Sequence, residues 1–121
     1  MYSGNFEKLA VWQKSHQFVL VIYQISRLFP KEELYALTSQ LRRSASSVPA
    51  NIVEGNEKKS TKEYVQFLYT AKSSLAETKY HLLLARDLGY INVIVFNKLL
   101  DQINEIGKMI NGLINYLSNK K

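Results

Sequence analysis

The sequence predicts an all-α protein: a single domain, residues 1–121, folded as an antiparallel four-helix bundle in up-down-up-down order. Apolar residues recur at steps of three and four along most of the chain, which is the period of a helix. The two prolines and five glycines fall mainly where helices should begin or end. The connections that remain are short, as is typical of antiparallel neighbours in a bundle.

Helix one is expected from about residue 6 to residue 28. It ends before Phe29-Pro30, because the residue that precedes a proline resists helical geometry. Between residues 18 and 25 it is apolar nearly all round, so one stripe can face the core and the rest must face something else. The apolar side chains outside that stripe belong either to a thick core or to a subunit interface. We favour the interface, since a second apolar surface would leave an exposed patch on a monomer.

Helix two is expected from Pro30 to about Glu57, with the acidic pair Glu32 and Glu33 in its first turn. Pro49 falls inside the helical pattern, where it removes a backbone donor and crowds the preceding turn. We therefore expect helix two to be kinked at Pro49. Serines in the turn before it can bond carbonyl groups that the proline leaves free. The apolar stripe of this helix is Leu34, Leu37, Leu41, Ala45, Val48 and Ile52.

A capping box at residues 60–63 opens helix three, which runs to Leu88 and stops at Gly89. Asn92 can cap helix four, which continues to about Leu117. The predicted seam of helix three is Tyr64, Leu68, Ala71, Leu75, Thr78, Leu82 and Ala85. The predicted seam of helix four is Phe96, Leu99, Ile103, Ile106, Ile110, Leu113 and Leu117.

Two glycines inside helix four, Gly107 and Gly112, each cost that helix roughly 1 kcal/mol relative to alanine. They mark either close contacts with another helix or weak points that the bundle tolerates, and the sequence does not decide between these.

The composition excludes several classes of protein. No cysteine is present, so disulfides and thiol chemistry are excluded. The longest apolar run, residues 18–23, is far shorter than the roughly 20 residues of a membrane helix. The N-terminal residues also lack the basic start and cleavage site of a secretory signal. We expect a cytoplasmic protein that does not enter a membrane.

The sequence offers no catalytic constellation. A di-iron bundle needs Glu-x-x-His pairs, and none occurs. Neither His16 nor His81 has an arginine in the preceding seven positions, which excludes an RNA-cleaving arginine–histidine pair. Glycine-rich phosphate loops, nucleophile elbows and zinc spacings are also missing. We expect a protein that is not an enzyme and uses no metal or cofactor, although a site shared between subunits stays open.

The segment QLRRSASSVPANIVEG, residues 40–55, resembles the signature of the proteins encoded in intervening sequences of bacterial 23S ribosomal RNA genes. The likeness begins at Phe6-Glu-Lys-Leu and Val11-Trp-Gln-Lys, continues through Phe29-Pro30 and reaches Leu88-Gly-Tyr-Ile. Ser73 and Val53 depart from the family, which usually has glycine and alanine there. A more distant relative is the accessory protein of diversity-generating retroelements. The resemblance implies a homopentameric ring of four-helix bundles, with nucleic-acid binding as its best-supported activity.

The charge predicts where such binding would occur. The net charge is +6, and a basic balance attracts polyanions. Up-down threading gathers an excess of lysines at one end of the bundle, whereas charges cancel at the other end. We therefore predict that a ring holds RNA or DNA by phosphate contacts without reading bases. A solvated lysine face that only keeps the protein soluble is the simpler alternative. The candidate contacts are Lys58, Lys59, Lys62, Arg42, Arg43, Lys120 and Lys121.

Two further alternatives stay open. Arg42 and Arg43 can instead pair with carboxylates such as Glu54 or Glu77, which would give them a structural role. The whole bundle can also serve as a scaffold or adaptor for a protein partner, such as a reverse transcriptase or an RNA-processing factor, without binding nucleic acid itself.

Overall fold

The computed structural model describes residues 5–119, and all regular structure in that range is helical. The four α-helices are α1 (Ala10–Ser26), α2 (Leu37–Asn56), α3 (Thr61–Asp87) and α4 (Val93–Asn119). Short 3-10 turns, Asn5–Lys8 and Lys31–Glu33, precede α1 and α2. Helix α2 packs against α1 and α3, while α4 packs against α3 and α1, so the four helices enclose one core. The prediction of an all-α fold with four helices is confirmed for residues 5–119.

The core consists of aliphatic and aromatic side chains from all four helices. Its most deeply buried members include Phe18, Ile22, Leu41, Ile52, Leu68, Leu82, Leu99, Ile106 and Ile110. The predicted seam of α3 is buried except at Tyr64, which is half-buried. The predicted seam of α4 is correct except near its end, where Ile114 is buried instead of Leu113. The last two steps of the seam are therefore four and three residues instead of three and four.

The first helix is shorter than predicted. Leu9 has extended backbone angles (φ −75°, ψ 124°), which separates the initial 3-10 turn from α1. Phe6 of that turn packs its edge on Trp12 with ring centroids 5.1 Å apart, and Trp12 stacks on His16 at 5.0 Å. These ring contacts hold the turn against α1 without continuing the helix.

The second helix begins at Leu37, seven residues later than predicted, because the chain turns at Ala36 (φ −127°, ψ −106°). Glu33 still stabilises its first turn: one carboxylate oxygen accepts a hydrogen bond from the Leu37 amide at 3.2 Å. The other oxygen accepts the Tyr90 hydroxyl at 2.7 Å. Glu33 therefore ties the start of α2 to the α3–α4 connection.

Helix α2 runs without interruption through Pro49, which is buried. Ser44 and Ser46 donate to the carbonyls of Leu41 and Arg43 at 3.1 and 3.2 Å. These carbonyls are not the one that Pro49 leaves free, which belongs to Ala45, so the predicted role of the serines is not the one observed. The side-chain amide of Asn51 donates a hydrogen bond to the Ser47 carbonyl at 2.8 Å.

The caps of α3 and α4 agree with the sequence. The Ser60 hydroxyl accepts the Glu63 amide at 3.1 Å, and the Asn92 side chain accepts the Val95 amide at 2.8 Å. Gly89 has a φ of +83°, the left-handed conformation that favours glycine. The Tyr90 amide then donates to Ala85 and the Gly89 amide to Arg86, which is the Schellman pattern of a helix C-terminus.

The close contact between helices occurs at Gly55, not at the glycines of α4. A Cβ atom at Gly55 would lie 2.9 Å from Phe67 Cβ and 2.9 Å from a ring atom of Tyr64, so α2 and α3 touch there. At Gly107 the nearest atom would be 3.7 Å away, and at Gly112 none lies within 4 Å. The glycines of α4 are therefore tolerated weak points rather than close contacts.

Candidate nucleic-acid interface

The connection between α2 and α3 carries the exposed lysines Lys58 and Lys59, and the first turn of α3 adds Lys62, which is also exposed; we call residues 57–62 the lysine turn. The turn is held at both ends. The Lys58 amide donates to the Gly55 carbonyl at 3.0 Å, while the Ser60 hydroxyl caps α3 and donates to the Glu63 carboxylate at 3.0 Å. The backbone that carries the three amines is therefore fixed by hydrogen bonds.

The amines of the lysine turn are available to a ligand. Within residues 5–119, none of the three forms an ion pair with a carboxylate. The Lys58 amine lies 5.1 Å from the centre of the Phe67 ring, a cation–π contact at an exposed position. Such a cluster of unpaired amines raises the local positive potential, which attracts phosphate groups.

Arg42 is half-buried, and its guanidinium is engaged by residues of α1. Its Nε atom donates to the Ser26 hydroxyl at 2.8 Å, and its guanidinium lies 4.7 Å from the centre of the Tyr23 ring. A terminal nitrogen also donates to the Tyr23 carbonyl at 3.5 Å. These contacts assign Arg42 to the joint between α1 and α2.

Arg43 pairs with Glu77 of α3, as the sequence alternative of a carboxylate partner anticipates. Its Nε atom also donates to Gln40 at 3.1 Å. The same Glu77 carboxylate lies 3.3 Å from Nε2 of His81, whose Nδ1 is buried without a hydrogen-bond partner among the described residues. Arg43 therefore bridges α2 and α3.

The structure brings together only part of the predicted site. The three lysines share one turn, whereas Arg43 lies about 20 Å from the end of α2 at roughly 1.5 Å per residue. Lys120 and Lys121 lie outside the described residues. The lysine turn is thus a coherent candidate, and the two arginines form a separate location with contacts of their own.

In the part of the chain that the structure describes, no three histidine, aspartate or glutamate side chains meet in a way that would hold a metal ion. Across the same residues, no helix combines the length and the apolar character that a bilayer span requires.

A second basic location, which sequence reasoning did not single out, lies between α3 and α4. An open groove of about 410 Å³ there has Lys72 on one wall and Lys108 on the other. The sequence shows both lysines and the small residues Ala76 and Gly107, which also line the groove. Their meeting depends on how α3 and α4 align, which the sequence does not display.

The comparisons identify the family. The model of the 23S rRNA-intervening sequence protein family matches residues 7–112. The chain belongs to this family. Among solved structures, it is similar to a protein of unknown function from the S23 ribosomal protein family of Bacteroides thetaiotaomicron VPI-5482. That likeness has a TM-score of 0.80 and 26% identity, and it covers 87% of this chain and 98% of the other. No curated protein matches the chain.

Proposed function

We propose that this member of the 23S rRNA-intervening sequence protein family is a non-enzymatic, cytoplasmic protein that binds RNA or DNA through phosphate contacts. The observation that carries the proposal is the lysine turn, where Lys58, Lys59 and Lys62 are exposed and unpaired within residues 5–119. Point charges on flexible side chains suit the phosphate backbone and carry no sequence information. Binding is therefore expected to be sensitive to salt and indifferent to base sequence.

The proposal includes an up-down-up-down arrangement of the helices. Support comes from side-chain hydrogen bonds between α2 and α3, whose order along one helix is the reverse of their order along the other. They join Ser44 to Thr78 at 2.9 Å, Ser47 to Ser74 at 2.8 Å and Asn56 to Tyr64 at 3.2 Å. Such an arrangement places the lysine turn at the same end of the bundle as the C-terminus. A bend of α2 at Pro49 belongs to the same proposal, because a proline lacks the amide that would bond Ala45.

We further propose that copies assemble into a ring, a homopentamer by resemblance to the family. Apolar surface on α1 supports assembly: Leu20 is 46% exposed and Tyr23 is also exposed, although their neighbours Phe18 and Ile22 are buried. A parallel alignment of subunits in a ring would repeat the lysine turn around one face. Repetition raises the affinity for a long polyanion, since each further contact is intramolecular.

The test is binding to generic RNA and to duplex DNA across a salt series. The variant Lys58→Glu/Lys59→Glu/Lys62→Glu should lower the slope of log K against log salt by about 2.7 for duplex DNA, about 0.9 for each lost phosphate contact. The variant Lys31→Glu/Lys79→Glu/Lys98→Glu changes the net charge equally at exposed positions and serves as the control. Absence of binding at low salt, or equal losses in both variants, would remove the proposal.

A protein scaffold is the second candidate function, and a specific surface favours it. Tyr23, Leu34, Tyr35, Arg42 and Arg43 line a mostly apolar hollow beside the start of α2. Tyr35 is 92% exposed there, which is unusual for an aromatic ring without a partner surface. If the protein is a scaffold, a partner protein should co-purify with the wild type and not with the variant Tyr35→Asp, while both bind nucleic acid with the same affinity. A nucleic-acid-binding protein without a partner would retain the same co-purification profile.

A further inference from the structure

The groove between α3 and α4 is basic on both sides. Lys72 of α3 and Lys108 of α4 line it, and two amide side chains, Asn104 and Asn111, complete the α4 wall. Positions 104, 108 and 111 are spaced by four and three residues, which places them on one face of α4. The groove is open to solvent and holds about 410 Å³.

Carboxylates of the two flanking helices point elsewhere. Glu77, in the middle of α3, is bound by Arg43 and His81. On α4, Glu105 pairs with Lys14 of α1 at 3.4 Å, and Asp101 does not line the groove. The two lysines therefore line opposite walls of a groove whose lining contains no carboxylate, and such a surface attracts anions.

The walls and floor suit a planar group between the charges. Ala76 and Gly107 have small side chains or none, so they leave room in the groove for such a group. Side-chain amides donate and accept hydrogen bonds, as the edges of nucleobases require. One turn before Lys72 lies Tyr69, whose ring is 49% exposed and 5.4 Å from the Lys72 amine. An exposed ring beside a lysine is the arrangement on which single-stranded bases stack.

We infer that this groove binds a single strand of RNA or DNA, with phosphates on Lys72 and Lys108 and with Asn104 or Asn111 forming hydrogen bonds to a base. This inference rests on the proposed function and deepens it by naming the form of the nucleic acid. A flexible single strand can place an unpaired base in this groove, whereas the bases of a duplex stay paired and stacked and cannot enter it. The lysine turn, in contrast, is a convex corner that contacts either form.

The test compares a labelled single strand of about 15 uridines with an RNA duplex of the same length, by fluorescence anisotropy across a salt series. The variant Lys72→Glu/Lys108→Glu should bind the single strand about tenfold more weakly, with a salt slope lower by about 1.4. Its effect on the duplex should equal that of the control variant Lys31→Glu/Lys98→Glu, which carries the same change of net charge.

A pair of uncharged variants separates shape from charge. Gly107→Leu fills the groove, whereas Gly112→Leu places the same side chain on the same helix where no atom lies within 4 Å. Only Gly107→Leu should weaken single-strand binding, by several-fold, and circular dichroism should show equal helix content in both. If Gly107→Leu unfolds, Gly107→Ala replaces it, because its Cβ makes an ordinary contact with Leu75.

Three results would overturn the groove inference and leave the lysine turn standing. The groove variants could bind the single strand as tightly as their controls do, or they could lose equal affinity for single strand and duplex. They could also sediment with a coefficient different from that of the wild type. The last result would identify the groove as a contact between subunits. A wild-type protein that binds neither form at low salt would overturn the proposed function and the groove inference together.

Discussion

Gly55 sets the distance between two helices by having no side chain. Both Phe67 and Tyr64 of α3 occupy the space where its Cβ would stand. The sequence places Gly55 at the end of the segment 40–55 without revealing this contact, because the contact depends on the alignment of α2 with α3. The sequence marks Gly107 and Gly112 as possible close contacts between helices, yet neither is a close contact in the fold.

We expect Gly55→Ala to destabilise the protein by about 1–3 kcal/mol, because the added methyl group lies 2.9 Å from the rigid Cβ of Phe67. Gly112→Ala is the matched control, and it should stabilise by up to about 1 kcal/mol through helix propensity alone. Urea unfolding of both variants measures the difference. A stabilised Gly55→Ala protein would contradict the close packing of α2 on α3.

Tyr90 titrates differently from a free tyrosine. Its hydrogen bond to Glu33 is the main cause that raises its pKa above the ordinary value, and partial desolvation and the negative charges of Glu33 and Glu32 add to the rise. The folded state therefore holds this proton more tightly than the unfolded chain does.

We expect the Tyr90–Glu33 bond to stabilise the fold fully below about pH 10 and to lose that contribution as the pH rises through the raised pKa of Tyr90. The variant Tyr90→Phe lacks the contribution at every pH. The difference in urea midpoint between wild type and Tyr90→Phe, measured from pH 8 to pH 11, should therefore shrink with rising pH. A difference that grows over this range would refute the assignment.

At the scale of elements, the sequence predicts the helices well and their first turns less well. Caps at Ser60, Gly89 and Asn92 agree with the structure because capping depends on residues three or four apart. The start of α2 does not agree, because the acidic pair that signals it sits in a separate 3-10 turn. Glu33, the last residue of that turn, still accepts a hydrogen bond from the first amide of α2, four residues further on.

We expect Ser60→Ala to destabilise the protein by about 1 kcal/mol, because the Glu63 amide loses its cap at the start of α3. Ser73→Ala, at an exposed position in the middle of α3, is the control and should be neutral or slightly stabilising. Thermal denaturation followed by circular dichroism compares the two variants. Equal melting temperatures would show that the Ser60 cap contributes nothing.

At the scale of the whole molecule, the excess of positive charge and the apolar surface of α1 are the features that need partners. Sequence reasoning located both, because each follows from counting residues along helices. It also grouped Arg42 and Arg43 with the lysines, although the structure engages them within the protein. Charge alone does not distinguish a free cation from one that braces two helices.

We expect the wild-type protein to sediment as an oligomer, and Leu20→Glu to shift it to a monomer without unfolding it, since Leu20 is already 46% exposed. Val93→Glu, which introduces the same charge at an exposed apolar position at the start of α4, should leave the oligomer intact. Sedimentation velocity at micromolar concentration distinguishes these outcomes. A monomeric wild type would remove the ring and its repeated basic face.

The short link between α2 and α3 has an energetic consequence for recognition. Its backbone is clamped at Gly55 on one side and at Ser60 on the other, so the corner is already ordered before any polyanion arrives. Only lysine rotamers remain to be restricted, at about 0.5–1.5 kcal/mol each. Most of the entropic penalty of association therefore falls on the flexible nucleic acid rather than on the protein.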